Sequence, residues 1–282
     1  MPVILGVPCF GDGVTHGNTE RSLSVVIPTV GRREELSRSL RTLVEVAGSL
    51  VSEVIVVFDG ARPWQGLDEL LGRIPLVVLW NDEVRGAAIC RNEAAARARA
   101  SYLAFLDDDV MPTARWATAV SDAVERGDPC ITGPILPLDD TVLSRARDQR
   151  YRRRYAQLRC GTAVQFFAGG NGLVRTDLFR RLGGFPDVPA GSDNGLLRRL
   201  REQSTNSCSF CWGMSVWHRN DRGARAAVRA AWHSGAVERR AEGTLAAPVL
   251  DLYELESSAV NAALWLVKAS AWCLEGLRSR PR

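Results

Sequence analysis

The sequence predicts an α/β fold with a mixed, mostly parallel sheet and helices on both of its faces. Three observations lead to this prediction: short β-branched runs, helical segments that alternate with them, and acidic residues that end two of the runs. Strands that alternate with helices imply right-handed βαβ crossovers and therefore parallel pairing. Continuous apolar runs are typical of strands that are buried on both faces.

The first half of the chain contains four predicted strands and two predicted helices. Pro28 stops the first β-branched run, and Leu36, Leu40 and Leu43 recur at helical spacing after it. The second β-branched run ends on Asp59. The predicted strands cover residues 23–29, 54–60, 75–80 and 102–106, and the predicted helices cover residues 33–46 and 91–100.

The second half of the chain is predicted to be less regular. It begins with a loop-rich stretch at residues 133–160, followed by predicted helices at 177–182 and 195–202 and a predicted strand at 208–217. No internal repeat or low-complexity linker divides the chain. We therefore expect a flexible leader at residues 1–20, one main domain at residues 21–222 and a helical C-terminal extension at residues 223–282.

The run A-F-L-D-D-D-V ends a predicted strand on three consecutive carboxylates, Asp107, Asp108 and Asp109. Adjacent carboxylates repel one another and lose solvation on burial, so they need water or a cation beside them. One interpretation is a solvated turn at the surface, and the other is a site for a hard cation such as Mg²⁺ or Mn²⁺. Ligands of parallel sheets bind outside the carboxyl ends of the strands, which favours the cation site.

Composition places the chain among ordinary globular proteins. Its 282 residues are 46% hydrophobic and 24% charged, which excludes disordered and collagen-like classes. The net charge of +4 does not require a nucleic-acid partner. Seven scattered cysteines and an N-terminus without an export-signal pattern predict a reducing cytoplasm. Cys208 and Cys211 have the spacing of a zinc or redox pair, but without a second pair we interpret them as structural thiols.

The C-terminal extension contains the longest apolar segment, at residues 259–272. It is shorter than the ~18–20 apolar residues that a membrane-spanning helix needs, and Asn261 and Lys268 interrupt it. We interpret it as a packed or interface helix, which would suit a homodimer. Peripheral contact with a membrane surface is the alternative.

Five sequence blocks together resemble the family 2 glycosyltransferases of the GT-A fold, a Rossmann-like fold of nucleotide-diphospho-sugar transferases. The blocks occur in order between about Leu23 and His218, which is most of the chain. They are L-S-V-V-I-P-T-V-G-R, V-I-V-V-F-D-G, R-G-A-A-I-C-R-N-E-A-A-A-R-A-R-A-S-Y-L-A-F-L-D-D-D-V, A-G-G-N-G-L-V-R-T-D-L-F-R-R-L-G-G-F and G-S-D-N-G-L-L-R-R-L-R. The resemblance implies transfer of a sugar from a nucleotide-sugar, most commonly a UDP-sugar, to a hydroxyl-bearing acceptor with inversion at the anomeric carbon.

The resemblance also implies roles for individual residues. The acidic triplet resembles the family's Asp-x-Asp motif, with Asp109 as the principal ligand of Mn²⁺ or Mg²⁺, Asp107 reaching the metal, its bound water or the ribose, and Asp108 as a further contact of the donor. His218 resembles the family histidine that completes the metal site. Asp193 matches the position of the general base, and the alternative is that this segment caps the following helix. The other residues that the resemblance assigns to donor binding are Pro28, Thr29, Asp59, Arg91, Gly170 and Asn171.

Two residues depart from the family pattern. Ser192 stands where a Glu usually precedes Asp193, and Phe58 stands where an acidic residue commonly follows the second strand. Two other hypotheses stay open, and the departures motivate the first of them. One is a scaffold that binds a nucleotide-sugar without turnover. The other is a nucleotidyltransferase of similar fold, for which P-T-V-G-R-R only partly supplies the phosphate-binding loop.

Seven arginines between Arg145 and Arg159 form a basic cluster. It is either a solvated charged connection or a surface for an anionic acceptor or an anionic membrane, because guanidinium groups bind phosphate and carboxylate in bidentate fashion. We expect no nucleic-acid partner, because the cluster lacks the aromatic platform on which single strands stack.

Overall fold

A computed structural model of the chain describes residues 3–4, 22–188, 191–203, 207–240, 245, 248 and 254–278. The predicted leader lies outside the described residues apart from residues 3–4. The strands, numbered in chain order, are β1 Val3–Ile4, β2 Leu23–Thr29, β3 Val51–Asp59, β4 Leu76–Asn81, β5 Tyr102–Leu106, β6 Val110–Pro112, β7 Cys130–Thr132, β8 Ile135–Pro137, β9 Asn171–Arg175, β10 Ser209–Phe210 and β11 Val216–His218. The α-helices are α1 Arg33–Ala47, α2 Ala87–Arg97, α3 Ala114–Arg126, α4 Val142–Tyr155, α5 Thr176–Arg181, α6 Ser192–Gln203, α7 Ala224–Arg240 and α8 Leu255–Arg278.

The chain divides into two compact units. The first unit comprises Met1–Pro134, Arg159–Asp187 and Ser192–Val216, and the second comprises Ile135–Leu158, Val188–Gly191 and Trp217–Arg282. The predicted boundary between a main domain and a C-terminal extension at residue 222 stays a prediction.

An eight-stranded sheet forms the framework of the first unit. Its strand order is β1-β4-β3-β2-β5-β9-β7-β10. The four strands β4, β3, β2 and β5 run parallel to one another, and β10 runs parallel to β7, whereas β1 and β9 run antiparallel to their neighbours. The predicted mixed, mostly parallel sheet is therefore confirmed.

The central strands are buried along their apolar runs. Residues 25–27, 54–58 and 103–106 have no accessible surface, which explains why these runs are continuous rather than alternating. The ring of Phe105 on β5 packs against Phe167, Phe179 and Phe185, with centroid separations between 5.1 and 6.4 Å. Aromatic pairs at such separations stabilise a core beyond their buried area, so this cluster gives the centre of the sheet a rigid support.

Parallel pairing brings the carboxyl ends of four strands to one edge of the sheet. Thr29 at the end of β2 pairs with Phe58, and Asp59 at the end of β3 pairs with Asn81. Strand β9 runs in the opposite direction, so its first residue, Asn171, pairs with Leu106 at the end of β5. The acidic triplet follows Leu106 directly. The strand ends and the start of β9 therefore meet at the same edge.

The stretch at residues 133–160, predicted to be loop-rich, contains the 14-residue helix α4, so that prediction is wrong. Thr141 caps the helix, since its Oγ1 accepts a hydrogen bond from the Ser144 amide at 3.1 Å. Arginine is a good helix former, but three of the four buried residues of α4, Ser144, Ala146 and Gln149, are small or polar, and Tyr155 at its last position is the fourth. A helix without an apolar face has no hydrophobic period from which it can be predicted.

The predicted strand at residues 208–217 is also wrong, because β10 and β11 are separated by a turn. The Met214 amide donates to the Cys211 carbonyl at 3.1 Å, and Gly213 lies inside this turn. Glycine inside an apolar run weakens strand pairing and marks such breaks.

The second unit is held together by polar contacts between its helices. Asn261 of α8 donates to the Ala146 carbonyl at 2.9 Å and to Gln149 Oε1 at 2.7 Å, both on α4. Lys268 of α8 pairs with Glu238 of α7 at 2.6 Å. In the part of the chain that the structure describes, no helix is both long and apolar enough to cross a membrane.

Two arginines of the basic cluster have acidic partners within the second unit. Arg145 pairs with Asp140 and Glu256, and Arg152 pairs with Asp148 and Glu254. Part of the cluster therefore links α4 to the start of α8. An anionic acceptor for the cluster stays a prediction.

Candidate active site

Asp108 is the buried member of the acidic triplet. Its side chain has 1% of its surface exposed, and Thr29 Oγ1 donates a hydrogen bond to its Oδ2 at 2.6 Å. Arg32 donates from Nε to the same oxygen at 3.1 Å and from its terminal nitrogen to Oδ1. Burial raises the pKa of Asp108, and these donors oppose the rise. Asp108 thus ties the end of β5 to the turn after β2, and its predicted contact with the donor stays a prediction.

Replacing Thr29 with Val is expected to lower the free energy of unfolding by about 1.5–3 kcal/mol, the usual worth of a hydrogen bond to a charged group. Thr29 Oγ1 also accepts from the Gly31 amide at 3.0 Å, so the substitution removes two hydrogen bonds at nearly constant volume. Urea unfolding measures the change. Thr29→Ser keeps the hydroxyl and loses one buried methyl group, so it should cost only about 1 kcal/mol. Equal stability of T29V and the unsubstituted protein would contradict this account.

Arg91 on α2 joins the acidic triplet to Asp193. One terminal nitrogen lies 2.6 Å from Asp107 Oδ1, and the other lies 3.4 Å from Asp193 Oδ1. The arginine side chain is 6% exposed, and its guanidinium lies 5.6 Å from the centroid of the Phe185 ring. Asp107 and Asp193 keep 38% and 35% of their side-chain surfaces exposed. A buried cation therefore holds together two carboxylates that still face solvent.

Gly169 and Gly170 approach these two carboxylates closely. The Gly169 amide donates to Asp193 Oδ2 at 3.1 Å. A Cβ on Gly169 would lie 2.6 Å from that oxygen and 2.7 Å from Arg91 Nη1, and a Cβ on Gly170 would lie 2.5 Å from Asp107 Cγ. The side chains of Asp193, Arg91 and Asp107 thus occupy the space that a Cβ on either glycine would need. Glycine is required here for close approach rather than for an unusual backbone angle.

If Asp107 contacts a nucleotide-sugar donor as predicted, replacing Gly170 with Ala should raise KM for that donor about tenfold, equivalent to losing one hydrogen bond. The new Cβ must displace the Asp107 carboxylate, because the two groups cannot share that space. Steady-state kinetics measures the change. Circular dichroism should show a fold like that of the unsubstituted protein. An unchanged KM would mean that the position of Asp107 does not matter for donor binding.

Asp193 lies in the first turn of α6, which begins three residues earlier than predicted. Its carboxylate accepts from the Gly169 amide and contacts Arg91, both outside its own helix. Desolvation is the largest cause of its shifted pKa, which lies above the ordinary carboxyl value; Arg91 opposes the rise and Asp107 adds to it. These contacts direct the Asp193 carboxylate toward Gly169 and Arg91, and its predicted role as the general base stays a prediction. A raised pKa suits a group that takes up a proton.

Asp59 holds the loop that precedes α2. Its two carboxylate oxygens accept from the amides of Arg85 and Gly86, at 2.7 and 2.9 Å. Gly86 has a φ of +93°, an angle that favours glycine, and it is the residue before α2. Asp59 therefore fixes the start of the helix that carries Arg91. Its predicted contact with the donor stays a prediction.

Several polar residues of this edge were not identified from the sequence. Glu93 on α2 accepts from Asn81 Nδ2 at 2.9 Å and pairs with Arg85. Arg32, which donates to Asp108 Oδ2 at 3.1 Å, was also not identified. Only their location gave a signal, since Arg32 follows the end of β2 and Glu93 lies two residues after Arg91. Charged side chains beside a strand end or a recognised motif are worth testing as members of the site.

Asn171 has a fully buried side chain. Its Nδ2 donates to the carbonyls of Pro134 and Met214 at 3.2 and 2.8 Å, and its Oδ1 accepts from Trp116 Nε1 at 3.1 Å. The side chain therefore organises the core, and a contact with the donor would have to use its backbone. Pro28 is likewise buried within β2.

Asp109 and His218 are the other predicted metal ligands. Asp109 is 6% exposed and lies in the turn between β5 and β6. His218 belongs to the second unit, is 5% exposed, and has its Nδ1 3.0 Å from Asn220 Oδ1. Joint coordination by these residues stays a prediction.

The residues at this edge fit a divalent cation only if the substrate completes its coordination. Among the described residues, no three His, Cys, Asp or Glu side chains converge on a preformed metal site. Mg²⁺ is commonly held by one or two carboxylates, with substrate phosphates and water as its other ligands. Asp107 keeps 38% of its side-chain surface exposed, so its carboxylate can reach a ligand from solvent. The carboxylate oxygens at this edge thus suit a hard cation that binds together with a diphosphate.

The two departures from the family pattern have different structural contexts. Phe58 is fully buried, and its ring packs edge-on against Trp64 with centroids 5.3 Å apart. An apolar contact therefore replaces the acidic group there. Ser192 begins α6 directly before Asp193.

Cys208 is buried, and this burial raises the pKa of its thiol, as expected for a structural cysteine.

Solved structures with similar folds include a mannosyltransferase and the protein TarS. The mannosyltransferase PcManGT from Pyrobaculum calidifontis, solved with GDP-Man and Mn²⁺, aligns over 92% of this chain and 76% of its own, with a TM-score of 0.56 and 17% identity. Residues 1–349 of TarS from S. aureus, solved with UDP-GlcNAc, align over 92% of this chain and 76% of their own, with a TM-score of 0.55 and 16% identity. The predicted GT-A fold is therefore confirmed.

Sequence relatives include two bacterial glycosyltransferases. An "uncharacterized glycosyltransferase" of Haemophilus influenzae is 32% identical over 87 residues, 31% of this chain and 29% of its own. The pre-mycofactocin glycosyltransferase of Mycobacterium tuberculosis is 26% identical over 197 residues, 66% of this chain and 40% of its own. The chain spans less than half the length of these relatives. The family model for glycosyl transferase family 2 matches residues 24–183, which is more than half of the chain. The chain therefore belongs to glycosyl transferase family 2.

Proposed function

We propose that the protein is an inverting, metal-dependent glycosyltransferase that moves a sugar from a nucleotide-sugar to a hydroxyl-bearing acceptor. The observation that carries this proposal is the position of Arg91, whose guanidinium contacts both Asp107 and Asp193. A carboxylate suited to the donor diphosphate and its cation thus lies beside one suited to deprotonating the acceptor. Sugar transfer requires both groups at one anomeric carbon.

Asp193 is proposed as the general base. It removes the proton from the acceptor hydroxyl while that oxygen attacks the anomeric carbon, and the bond from this carbon to the diphosphate oxygen breaks. A single displacement without an enzyme nucleophile inverts the anomeric configuration. The Gly169 amide and Arg91 orient the carboxylate, and its raised pKa makes it a stronger base than an ordinary Asp.

Asp107 and Asp109 are proposed to hold Mn²⁺ or Mg²⁺ together with the donor diphosphate. A divalent cation would neutralise the charge that develops on the departing nucleoside diphosphate. Thr29, Pro28 and Asp59 line the strand ends where the nucleoside is expected to bind. PcManGT was solved with GDP-Man and TarS with UDP-GlcNAc, which supports a nucleotide-sugar donor here. A UDP-sugar is our first choice because of the family resemblance.

The proposal is tested by incubating the protein with a panel of nucleotide-sugars and Mn²⁺ or Mg²⁺ and measuring nucleoside diphosphate release by mass spectrometry. We expect release from one donor class, with EDTA abolishing it. Donor binding without release would instead favour a scaffold that does not turn over. Formation of pyrophosphate from a sugar phosphate and a nucleoside triphosphate would favour the nucleotidyltransferase.

A further inference from the structure

Positive charge is concentrated in the second unit. This unit contains 16 of the 36 Lys and Arg residues but only 10 of the 32 Asp and Glu residues, so its formal net charge is +6. The first unit carries the remaining charge, −2. Such an imbalance favours contact between the second unit and a negatively charged surface.

The first half of α7 exposes basic and apolar residues together. Arg225, Val228, Arg229 and Trp232 are all exposed, and their spacing of three, four and seven positions puts them on one side of the helix. Trp232 keeps 45% of its surface exposed. Arginine and tryptophan are the residues that water–lipid interfaces favour, because one binds phosphate and the other bridges polar and apolar layers.

Helix α8 exposes a stripe without charge. Lys268 and Glu275 point toward α7, where they pair with Glu238 and Arg240. Leu266 and Leu277 on the exposed side keep 61% and 63% of their surfaces in solvent. The members of the stripe recur every three or four positions and include no Asp, Glu, Lys or Arg: Ala259, Ala263, Leu266, Ser270, Leu274 and Leu277.

Lipid suits this surface better than a second copy of the chain. The stripe of α8 by itself measures about 27 Å by 10 Å, or about 300 Å², which is less than the about 800 Å² per partner that a standard interface buries. Apposition of two units that each carry +6 would also be opposed electrostatically, whereas anionic lipid headgroups attract that charge.

We propose that the second unit binds the surface of an anionic lipid bilayer through the exposed side of α7 and the uncharged stripe of α8. The arginines bind lipid phosphates, while Trp232 and the leucines of the stripe enter the boundary between headgroups and acyl chains. This inference stands independently of sugar transfer.

Vesicle flotation with the full chain tests the inference. We expect binding to phosphatidylcholine vesicles that contain about one third phosphatidylglycerol, weakening as salt is raised, and little binding to phosphatidylcholine alone. The double substitution Arg225→Gln with Arg229→Gln should lower the partition coefficient about 30-fold, since each arginine near the surface contributes about fivefold. Leu266→Asp should also lower the partition coefficient, because it places a negative charge in the uncharged stripe of α8.

Arg38→Gln with Arg41→Gln is the matched control, because these two exposed arginines lie three positions apart on α1 of the first unit. Its partition coefficient should stay that of the unsubstituted protein. Circular dichroism checks that every variant is folded. Failure to bind anionic vesicles, or equal binding by all variants, would overturn the proposal. If the protein does not bind vesicles but forms a dimer in light scattering, and Leu266→Asp abolishes that dimer, the stripe contacts a second copy of the chain instead.

Discussion

Asp193→Asn is expected to lower kcat for sugar transfer by about 10²- to 10⁴-fold, the usual contribution of a positioned general base. The amide has nearly the same shape as the carboxylate and can still accept a hydrogen bond from the Gly169 amide, which lies 3.1 Å from Oδ2. It cannot take up the acceptor proton. The substitution therefore removes the chemistry of this group while leaving the site assembled.

The rate loss should appear in kcat, with donor affinity retained, because Asp193 is proposed to act on the acceptor. The rate of nucleoside diphosphate release measures kcat. Thermal stabilisation by added nucleotide measures the affinity for the donor. Glu202→Gln is a matched control, since it makes the same carboxylate-to-amide change at an exposed position near the other end of α6. A kcat for D193N equal to that of the unsubstituted protein would remove Asp193 from the mechanism.

Arg91→Gln is expected to lower kcat/KM by about 10²- to 10⁴-fold, because two charge-assisted contacts, each worth about 1.5–3 kcal/mol, are lost together. The guanidinium contacts Asp107 at 2.6 Å and Asp193 at 3.4 Å, and the arginine side chain is only 6% exposed. Without it, the two carboxylates repel each other and lose their common orientation. The effect should exceed that of removing a surface arginine by a wide margin.

The pH profile distinguishes a positioning role of Arg91 from a general loss of folding. The positive charge of Arg91 opposes the rise in the pKa of Asp193, so its removal raises that pKa further. A base must be ionised to accept a proton, and the rate therefore falls as the pH drops through its pKa. We expect the acidic limb of the kcat/KM profile to move to higher pH in R91Q.

Arg97→Gln provides the control for R91Q, since Arg97 lies exposed at the end of the same helix. Its pH profile should coincide with that of the unsubstituted protein. Arg91→Lys keeps the positive charge but cannot contact both carboxylates with two separate nitrogens. Compared with R91Q, it should restore the pH position of the acidic limb more fully than it restores kcat/KM. An acidic limb that does not move in R91Q would contradict the electrostatic link between Arg91 and Asp193.

Burial of whole strands made much of the first unit predictable from sequence. Strand β2 was predicted with its observed bounds, and α1 was predicted to within one residue, because apolar residues alone decide which face of each element is inside. Helix α4 was missed for the opposite reason. Its buried face is made of groups such as Ala146 and Gln149, whose hydrogen bonds with Asn261 are specified by tertiary structure and not by hydrophobic period.

The members of the site were predictable one at a time, but their contacts were not. Arg91 and Asp193 are 102 positions apart, and no local pattern indicates that they meet. Thr29 and Arg32 reach Asp108 across a similar gap. Asp59 was predicted from its place at a strand end, whereas its hydrogen bonds to the amides of Arg85 and Gly86 depend on the turn before α2. Long-range polar contacts form only when the sheet is assembled. The candidate residues could therefore be named from the sequence, whereas their hydrogen-bonding and ion-pair partners could not.

Thermal denaturation with UDP and GDP, each with and without Mn²⁺, tests most directly whether the acidic edge binds a nucleoside diphosphate through a cation. At about 100 times the dissociation constant, a bound nucleotide should raise Tm by roughly 5–10 °C. We expect one nucleotide to stabilise the protein, and only in the presence of Mn²⁺. We also expect that Asp109→Asn loses this shift, whereas Asp122→Asn, at an exposed position on α3, keeps it. The same shift without Mn²⁺ or in D109N, or no shift with any nucleotide, would contradict a cation-dependent donor site at this edge.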